Sequence, residues 1–162
     1  MTVDVDNFKQ ALQRWASGVT VVTTHSRSGG LKGMTVTAFS SVSLEPPQIL
    51  VCLNNSADTG EGIAESGSFA VNVLCSNQQD VSNQFAGGSS QEDRFATNAW
   101  KSGLTGAPLL ENSLVSIDCS VIDQVRAGTH WIIIGEVQDV ICRQGQPLLY
   151  YRSAYRQLVE DI

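Results

Sequence analysis

The spacing of apolar and polar positions changes along the chain, and each change marks an element. Phe8, Ala11, Leu12, Trp15 and Ala16 recur at helical spacing and form one apolar face. Asn7 with Gln10 three residues on predicts a capping-box start for that helix, and Gly18 predicts its stop. The β-branched run 19–24 predicts a strand, closed by a turn at Ser28-Gly29-Gly30. Further strands are expected over 31–38 and 39–44, with Glu45-Pro46-Pro47 as the break, and over 48–53. Asp58 to Glu61 opens a short helix that Gly67 ends. Residues 69–74 set Phe69, Val71 and Val73 against Ala70, Asn72 and Leu74, the period of a strand. Ser76 with Gln79 predicts a second capping box and a helix to Phe85.

Residues 86–111 are Gly- and Ser-rich and read as one long loop, which in a compact domain is usually functional. Two long strands, 114–127 and 129–142, meet at Ala127-Gly128-Thr129, and a last strand covers 147–152 after a turn at Gly145. Six or seven strands with a few short helices fit a mostly β chain folded as an antiparallel barrel. They do not fit an alternating parallel sheet, because no long helix separates consecutive strands. No linker, repeat or low-complexity tract interrupts the 162 residues, so 1–162 reads as a single domain.

Composition narrows the partners. The chain carries 16 acidic and 10 basic side chains, a net charge of −6, which argues against nucleic acid, whose phosphates demand clustered Lys and Arg. The N-terminal Met-Thr-Val-Asp-Val-Asp has acids where a signal peptide has bases, and the longest apolar run, Trp131-Ile132-Ile133-Ile134, is too short to span a bilayer. A cytoplasmic protein without membrane contact is expected. Cys52, Cys75, Cys119 and Cys142 form no C-x-x-C pair and read as small buried hydrophobes in strands, without disulfides. Two histidines and no H-E-x-x-H motif predict no metal site.

Familiar catalytic signatures are missing. Gly60-Glu61-Gly62-Ile63-Ala64-Glu65 ends in Glu where a dinucleotide fingerprint needs Gly, no Gly-Lys pair marks a P-loop, and no G-x-S-x-G occurs. An enzyme with so few titratable groups leaves the hard chemistry to a cofactor. What remains is polarity without charge. The segment Thr35 to Ser43 is either a solvated Ser/Thr face or an edge that hydrogen-bonds a flat heterocycle. The run Cys52-Leu53-Asn54-Asn55-Ser56 is either a turn or a phosphate cradle before a helix start. On residue type alone His130 is an exposed turn residue, Arg94 a surface ion-pair partner, and Tyr150, Tyr151 and Tyr155 packing aromatics.

In order, these segments include Ala16-Ser17-Gly18-Val19-Thr20-Val21-Val22-Thr23-Thr24, Gly33 through Pro47, Leu50-Val51-Cys52-Leu53-Asn54 and Phe69-Ala70-Val71-Asn72-Val73-Leu74. There follow Phe85-Ala86-Gly87, Asp93-Arg94-Phe95, Gly106-Ala107-Pro108-Leu109-Leu110, Gly128-Thr129-His130 and Pro147-Leu148-Leu149-Tyr150-Tyr151-Arg152. Their order and spacing resemble the flavin reductase-like family, the NAD(P)H:flavin oxidoreductases of two-component monooxygenases, over residues 7–158. The resemblance implies an antiparallel split β-barrel of the FMN-binding type. It also implies a homodimer that binds FMN or FAD beside its interface, takes NADH or NADPH as electron donor and supplies reduced flavin to a partner monooxygenase.

By the same resemblance Thr35, Val36, Thr37 and Ala38 line the flavin, and Ser40, Ser41 and Val42 lie near its ring edge or ribityl chain. Cys52, Leu53, Asn54, Asn55, Ser56 and Thr59 reach the ribityl and phosphate groups. Phe85, Ala86, Gly87 and Arg94 complete the phosphate or adenine side, and His130 and Tyr151 contact the nicotinamide or the flavin ring. The implied reaction is hydride transfer from nicotinamide C4 to flavin N5, with His130 as the candidate orienter of the nicotinamide. Asn55 stands where many relatives carry Arg, so one charge-assisted phosphate contact is missing and Arg94 is the candidate to replace it. A flavin-binding electron carrier, or an FMN oxidase on the same barrel, is the competing expectation.

Overall fold

In the computed structural model, which describes residues 3–159, helix α1 (Val5–Leu12) starts one turn earlier than its sequence signal. Asp4 is the cap, its carboxylate accepting the Asn7 N–H at 3.1 Å, so Asn7 is the capped residue. The helix ends at Leu12, after which the Arg14 and Trp15 N–H groups donate to the Ala11 and Leu12 carbonyls, both at 3.1 Å. No α1 residue is buried, and the predicted apolar face lies in the open, with Phe8 and Leu12 each 56% exposed.

The chain continues through β1 (Ser17–Gly18), β2 (Thr20–His25), β3 (Leu31–Val36), β4 (Phe39–Leu44), β5 (Pro47–Asn54), α2 (Asp58–Ser66) and β6 (Ser68–Val73). Then come α3 (Gln79–Ala86), α4 (Gln91–Ala96), β7 (Trp100–Ser102), β8 (Pro108–Leu110), β9 (Val115–Ala127), β10 (His130–Cys142), β11 (Leu149–Tyr151) and β12 (Ala154–Arg156). Gly18 therefore does not stop a helix; it pairs with Leu149 in a small sheet ordered β1-β11-β12.

Seven strands form one antiparallel sheet in the order β3-β2-β6-β9-β10-β5-β4. Val36 of β3 and Ile49, Val51 and Leu53 of β5 nevertheless share one core with Val22, Ile63, Phe69, Val71, Cys119 and Ile133. Strands lie about 4.8 Å apart, so in a flat sheet these near-edge strands would sit far from each other. The sheet curls over a single interior, the architecture of an antiparallel split barrel. Gly135 permits the curl at a register shift of β10, since a Cβ there would lie 2.6 Å from the Phe69 ring.

A second layer covers the outside of β2 and β6. Val21 turns away from Val22 into a cluster with Val19, Leu74, Val81, Phe85, Leu110 and Leu148, against which Phe95, Trp100 and Tyr155 pack. β2 is thus buried on both faces from Thr20 to Thr24. Its hydroxyls are paid for by backbone acceptors: Thr20 donates to Val36 O at 2.7 Å, Thr24 to Ser68 O at 2.8 Å and Thr23 to Pro108 O. Asn72 of β6 donates to Val21 O at 3.2 Å and Thr23 Oγ1 at 3.1 Å, and accepts the Leu110 N–H at 2.8 Å.

Three further expectations change. Ser76 is not a helix cap; α3 begins after Gln78, which has no side-chain cap bond and instead accepts the Cys75 N–H at 2.8 Å. The region 86–111 is not one loop, for it contains α4 and the β7–β8 pair. The cysteines are all free, yet only Cys119 is buried; Cys52 and Cys75 are half-buried and Cys142 is exposed.

Burial pushes the Cys119 thiol up to about 12, and the adjacent Asp118 carboxylate adds to the shift. In the folded chain this thiol stays protonated and unreactive, and the associated stability is complete below pH 9.0 and is lost as pH rises toward about 12. Timed labelling with a thiol reagent at pH 8 should modify Cys142 first and Cys119 only when urea unfolds the chain. Labelling of Cys119 in the native protein would show that this burial is wrong.

Candidate functional site

β3 ends the seven-stranded sheet, so part of its backbone has no strand partner. Side chains of α4 supply the missing bonds. The Gly33 N–H donates to Gln91 Oε1 at 2.9 Å, and the Gly33 carbonyl accepts from Arg94 Nη1 at 2.9 Å. α4 is set by a cap invisible to the helical spacing: Ser90 Oγ accepts the Asp93 N–H at 3.1 Å and donates to the Asp93 carboxylate at 2.6 Å. The rings of Phe85, Phe95 and Trp100 hold α3, α4 and β7 together, Phe85 and Phe95 edge-to-face with centroids 5.1 Å apart. Only a residue without Cβ fits at 33, since a Cβ would lie 2.9 Å from Phe85 and 3.1 Å from Phe95.

Arg94 is therefore no surface ion-pair partner. It meets no carboxylate among the described residues, and its buried Nε has no hydrogen-bond partner. Opposite stands the start of α2. Asn54 Oδ1 accepts from the Ser56 N–H at 3.0 Å and the Ser56 hydroxyl at 2.8 Å, which turns the chain into the helix. The Ala57 cap position makes no side-chain hydrogen bond, and Thr59, fully buried, has an unpartnered Oγ1.

These groups line one cavity of about 340 Å³, bounded by Met34, Asn54, Ser56, Ala57, Asp58, Thr59, Phe85, Ala86, Gln91 and Arg94. Ala86 also lines a smaller space of about 140 Å³ with Val19, Thr35, Thr37, Ser82, Tyr150 and Tyr155. Thr35 donates there to Ser82 O at 2.6 Å, and the Tyr155 hydroxyl donates to Asn83 Oδ1 at 2.8 Å with Ser82 Oγ 2.9 Å away. Thr37 and Tyr150 in turn border a third cavity of about 480 Å³, walled by Leu12, Trp15, Phe39 and Tyr151 and closed by Gln13, Ser17, Ala38, Arg152 and Ser153. Shared wall residues set the three spaces in a row, termed the groove, with Arg94 at the polar end and the aromatic walls at the other.

Of the residues singled out in the sequence, Asn54, Ser56, Thr59, Phe85, Ala86 and Arg94 meet in the first cavity. Thr35 and Thr37 line the middle, and Ala38 and Tyr151 the aromatic end. Val36 and Leu53 point into the barrel core. Ser40, Ser41 and Val42 are exposed on β4, the opposite edge of the sheet. Cys52 and Asn55 are half-buried and Gly87 is exposed, all outside the cavity walls. His130, exposed, sits opposite Asn54 in the β10–β5 ladder with Thr129 Oγ1 2.9 Å from its Nδ1. Sequence reasoning missed Met34, Gln91, Trp15 and Ser82; of these only Gln91, one residue after a Ser90 cap, carried a local signal.

A curled antiparallel sheet with cavities between its edge strand and an outer helical layer defines a split-barrel protein. The chain belongs to the flavin reductase-like family: the flavin reductase like domain profile matches residues 12–159. It is 41% identical over 155 residues to the FMN reductase (NADH) RutF of Pseudomonas syringae pv. syringae, spanning 95% of this chain and 86% of that protein. The structure is similar to that of Streptomyces globisporus NADH:FAD oxidoreductase SgcE6 in complex with NAD and FAD fragments, with a TM-score of 0.89 and 30% identity over 99% of this chain and 98% of that one. It is also similar to the styrene monooxygenase flavin reductase SMOB of Pseudomonas putida S12, with a TM-score of 0.86 and 29% identity over 96% of this chain and all of that one.

The Gly33 junction gives a direct check. Gly33→Ala should cost about 1–3 kcal/mol in urea unfolding, because Phe85 and Phe95 must give way. An unchanged midpoint would show that α4 is not locked to β3 in this manner.

Proposed function

We propose that this protein is a flavin reductase that uses NADH, or NADPH, to reduce FMN or FAD and releases the reduced flavin to a separate monooxygenase. The observation that carries the reading is one cavity at the polar end of the groove, where Arg94, which meets no carboxylate among the described residues, stands across from the uncapped start of α2 with Ser56 and Asn54. A guanidinium and free helix N–H groups around one space are a donor set for an anion. The residues fit a flavin. Arg94, the Thr59 hydroxyl and the uncapped start of α2 supply donors for a phosphate, and Ser56 and Asn54 lie beside them for the ribityl hydroxyls.

Bound flavin supplies the two-electron acceptor. The chain's own work is binding and orientation. The Thr35–Ser82–Tyr155 hydrogen bonds stiffen the middle of the groove, and Phe39 and Tyr151 at its far end offer apolar faces to flat rings. Orientation alone contributes much of such a rate, so the walls need no general acid. His130, exposed beside Asn54 in the β10–β5 ladder, lies at the polar end and not with the aromatic walls proposed to meet the nicotinamide.

The protein is further proposed to act as a cytoplasmic, single-domain homodimer. Among the described residues no helix is long and apolar enough to cross a membrane. Leu50, Cys52, Ile132 and Ile134 turn outward from adjacent strands and remain half-exposed, and the α1 face with Trp15 is open. Each offers apolar surface that a second copy would cover.

Mixing the purified protein with NADH and catalytic FMN or FAD should give rapid loss of NADH absorbance that depends on added flavin. A yellow protein that leaves NADH and NADPH untouched would instead be a carrier. Arg94→Gln should weaken FMN binding about tenfold or more by fluorescence titration while leaving riboflavin, which lacks the phosphate, unaffected. Equal losses for both ligands would remove Arg94 from the phosphate.

A further inference from the structure

Two arginines stand at the aromatic end of the groove, far from Arg94 along its length. Arg14 and Arg152 line a cleft of about 220 Å³ with Gln10 and Gln13, and Gln13 and Arg152 are also walls of the aromatic cavity. In a chain of net charge −6, neither guanidinium meets a carboxylate among the described residues. Arg152 is held in place: its N–H donates to Gln13 O at 3.0 Å, and its guanidinium lies 5.4 Å from the centre of the Tyr151 ring.

The backbone that presents Arg152 is strained. Arg152 and Ser153 form the turn between β11 and β12, where Tyr151 pairs with Ala154, and both have positive φ, 49° and 57°. Turns of this shape favour Asn-Gly, because side chains crowd the backbone at positive φ. A turn that keeps Arg and Ser there at the cost of strain, with both residues lining the cavity, has a use for them.

We propose that Arg14 and Arg152 bind the diphosphate of the nicotinamide dinucleotide and so orient its nicotinamide over the aromatic end of the groove. This rests on the flavin reductase reading, which places the flavin phosphate at Arg94, at the opposite end. The cation pair is therefore left for the phosphates of the second nucleotide. Guanidinium forks suit bidentate contact with phosphate oxygens, and Gln10 and Gln13 add neutral donors. Because the pair is exposed, its contribution falls with salt.

The decisive variant is the double replacement Arg152→Asn with Ser153→Gly, which relieves the turn while deleting the cation. It should raise the thermal midpoint, raise the KM for NADH about tenfold and leave kcat and FMN affinity near wild type. Arg14→Gln, at an exposed position, should raise the same KM, and Arg14→Lys should restore part of it. By calorimetry the wild type should bind NAD+ and ADP more tightly than adenosine, with a preference that shrinks in salt and in both variants. Lys101→Gln serves as the exposed-cation control. An unchanged KM and NAD+ affinity in both arginine variants, in a wild type that oxidises NADH, overturns the proposal alone. A parallel loss of FMN affinity would assign the cleft to flavin and also overturn it. A wild type that neither binds NAD+ nor oxidises NADH removes the reductase reading and this proposal together.

Discussion

Everything that shapes the groove depends on two strands, β2 and β6, that are buried on both faces. A strand between two apolar layers cannot place its polar groups in water, so they find partners inside, the Ser68 hydroxyl excepted. Thr20, Thr23 and Thr24 do so through backbone carbonyls of β3, β8 and β6. Asn72 does so by bridging β2 and the N–H of Leu110. These bonds are directional where hydrophobic contacts are not, and they fix the register of the outer layer on the barrel.

The outer layer turns that register into a site. β3 is an edge strand, and the unpaired N–H and C=O of Gly33 attract Gln91 and Arg94. One interaction therefore closes the sheet edge and delivers a guanidinium to a cavity. Asp118 anchors the far side of the same layer, accepting the Thr105 N–H at 2.9 Å and pinning the chain between β7 and β8. The hydroxyl-rich composition thus divides between buried structure and groove wall, and Thr59 belongs to both: buried, yet unsatisfied.

Much of the architecture was legible because it was periodic. The strands over 69–74 and around the Gly128 turn lie where the alternation put them, and the barrel class followed from the scarcity of long helices. Motif order identified the family, since order and spacing together are specific where single motifs are ambiguous. Short elements were not legible. The three-residue strands β7, β8 and β12 are too short to show a period, and α4 starts from Ser90 with Asp93, an acid one methylene shorter than the usual capping partner. The α1 pattern was read correctly as one apolar face, and that this face lies open was not legible, because periodicity reports that a face is apolar and not what covers it.

By itself the sequence determined the β class, the absence of familiar nucleotide loops, the family and the short list from which a site had to come. Only the tertiary structure decided which members of that list share a cavity. Thr59 and Arg94 are 35 positions apart in sequence and Asn54 and His130 are 76 apart, yet strand pairing and the α4 clamp bring them to common surfaces. It also decided which side chains are spent on packing, as Val36 and Leu53 are, and which keep unsatisfied atoms. Burial and hydrogen-bond satisfaction are properties of the folded surroundings, and no residue type or spacing carries them in advance.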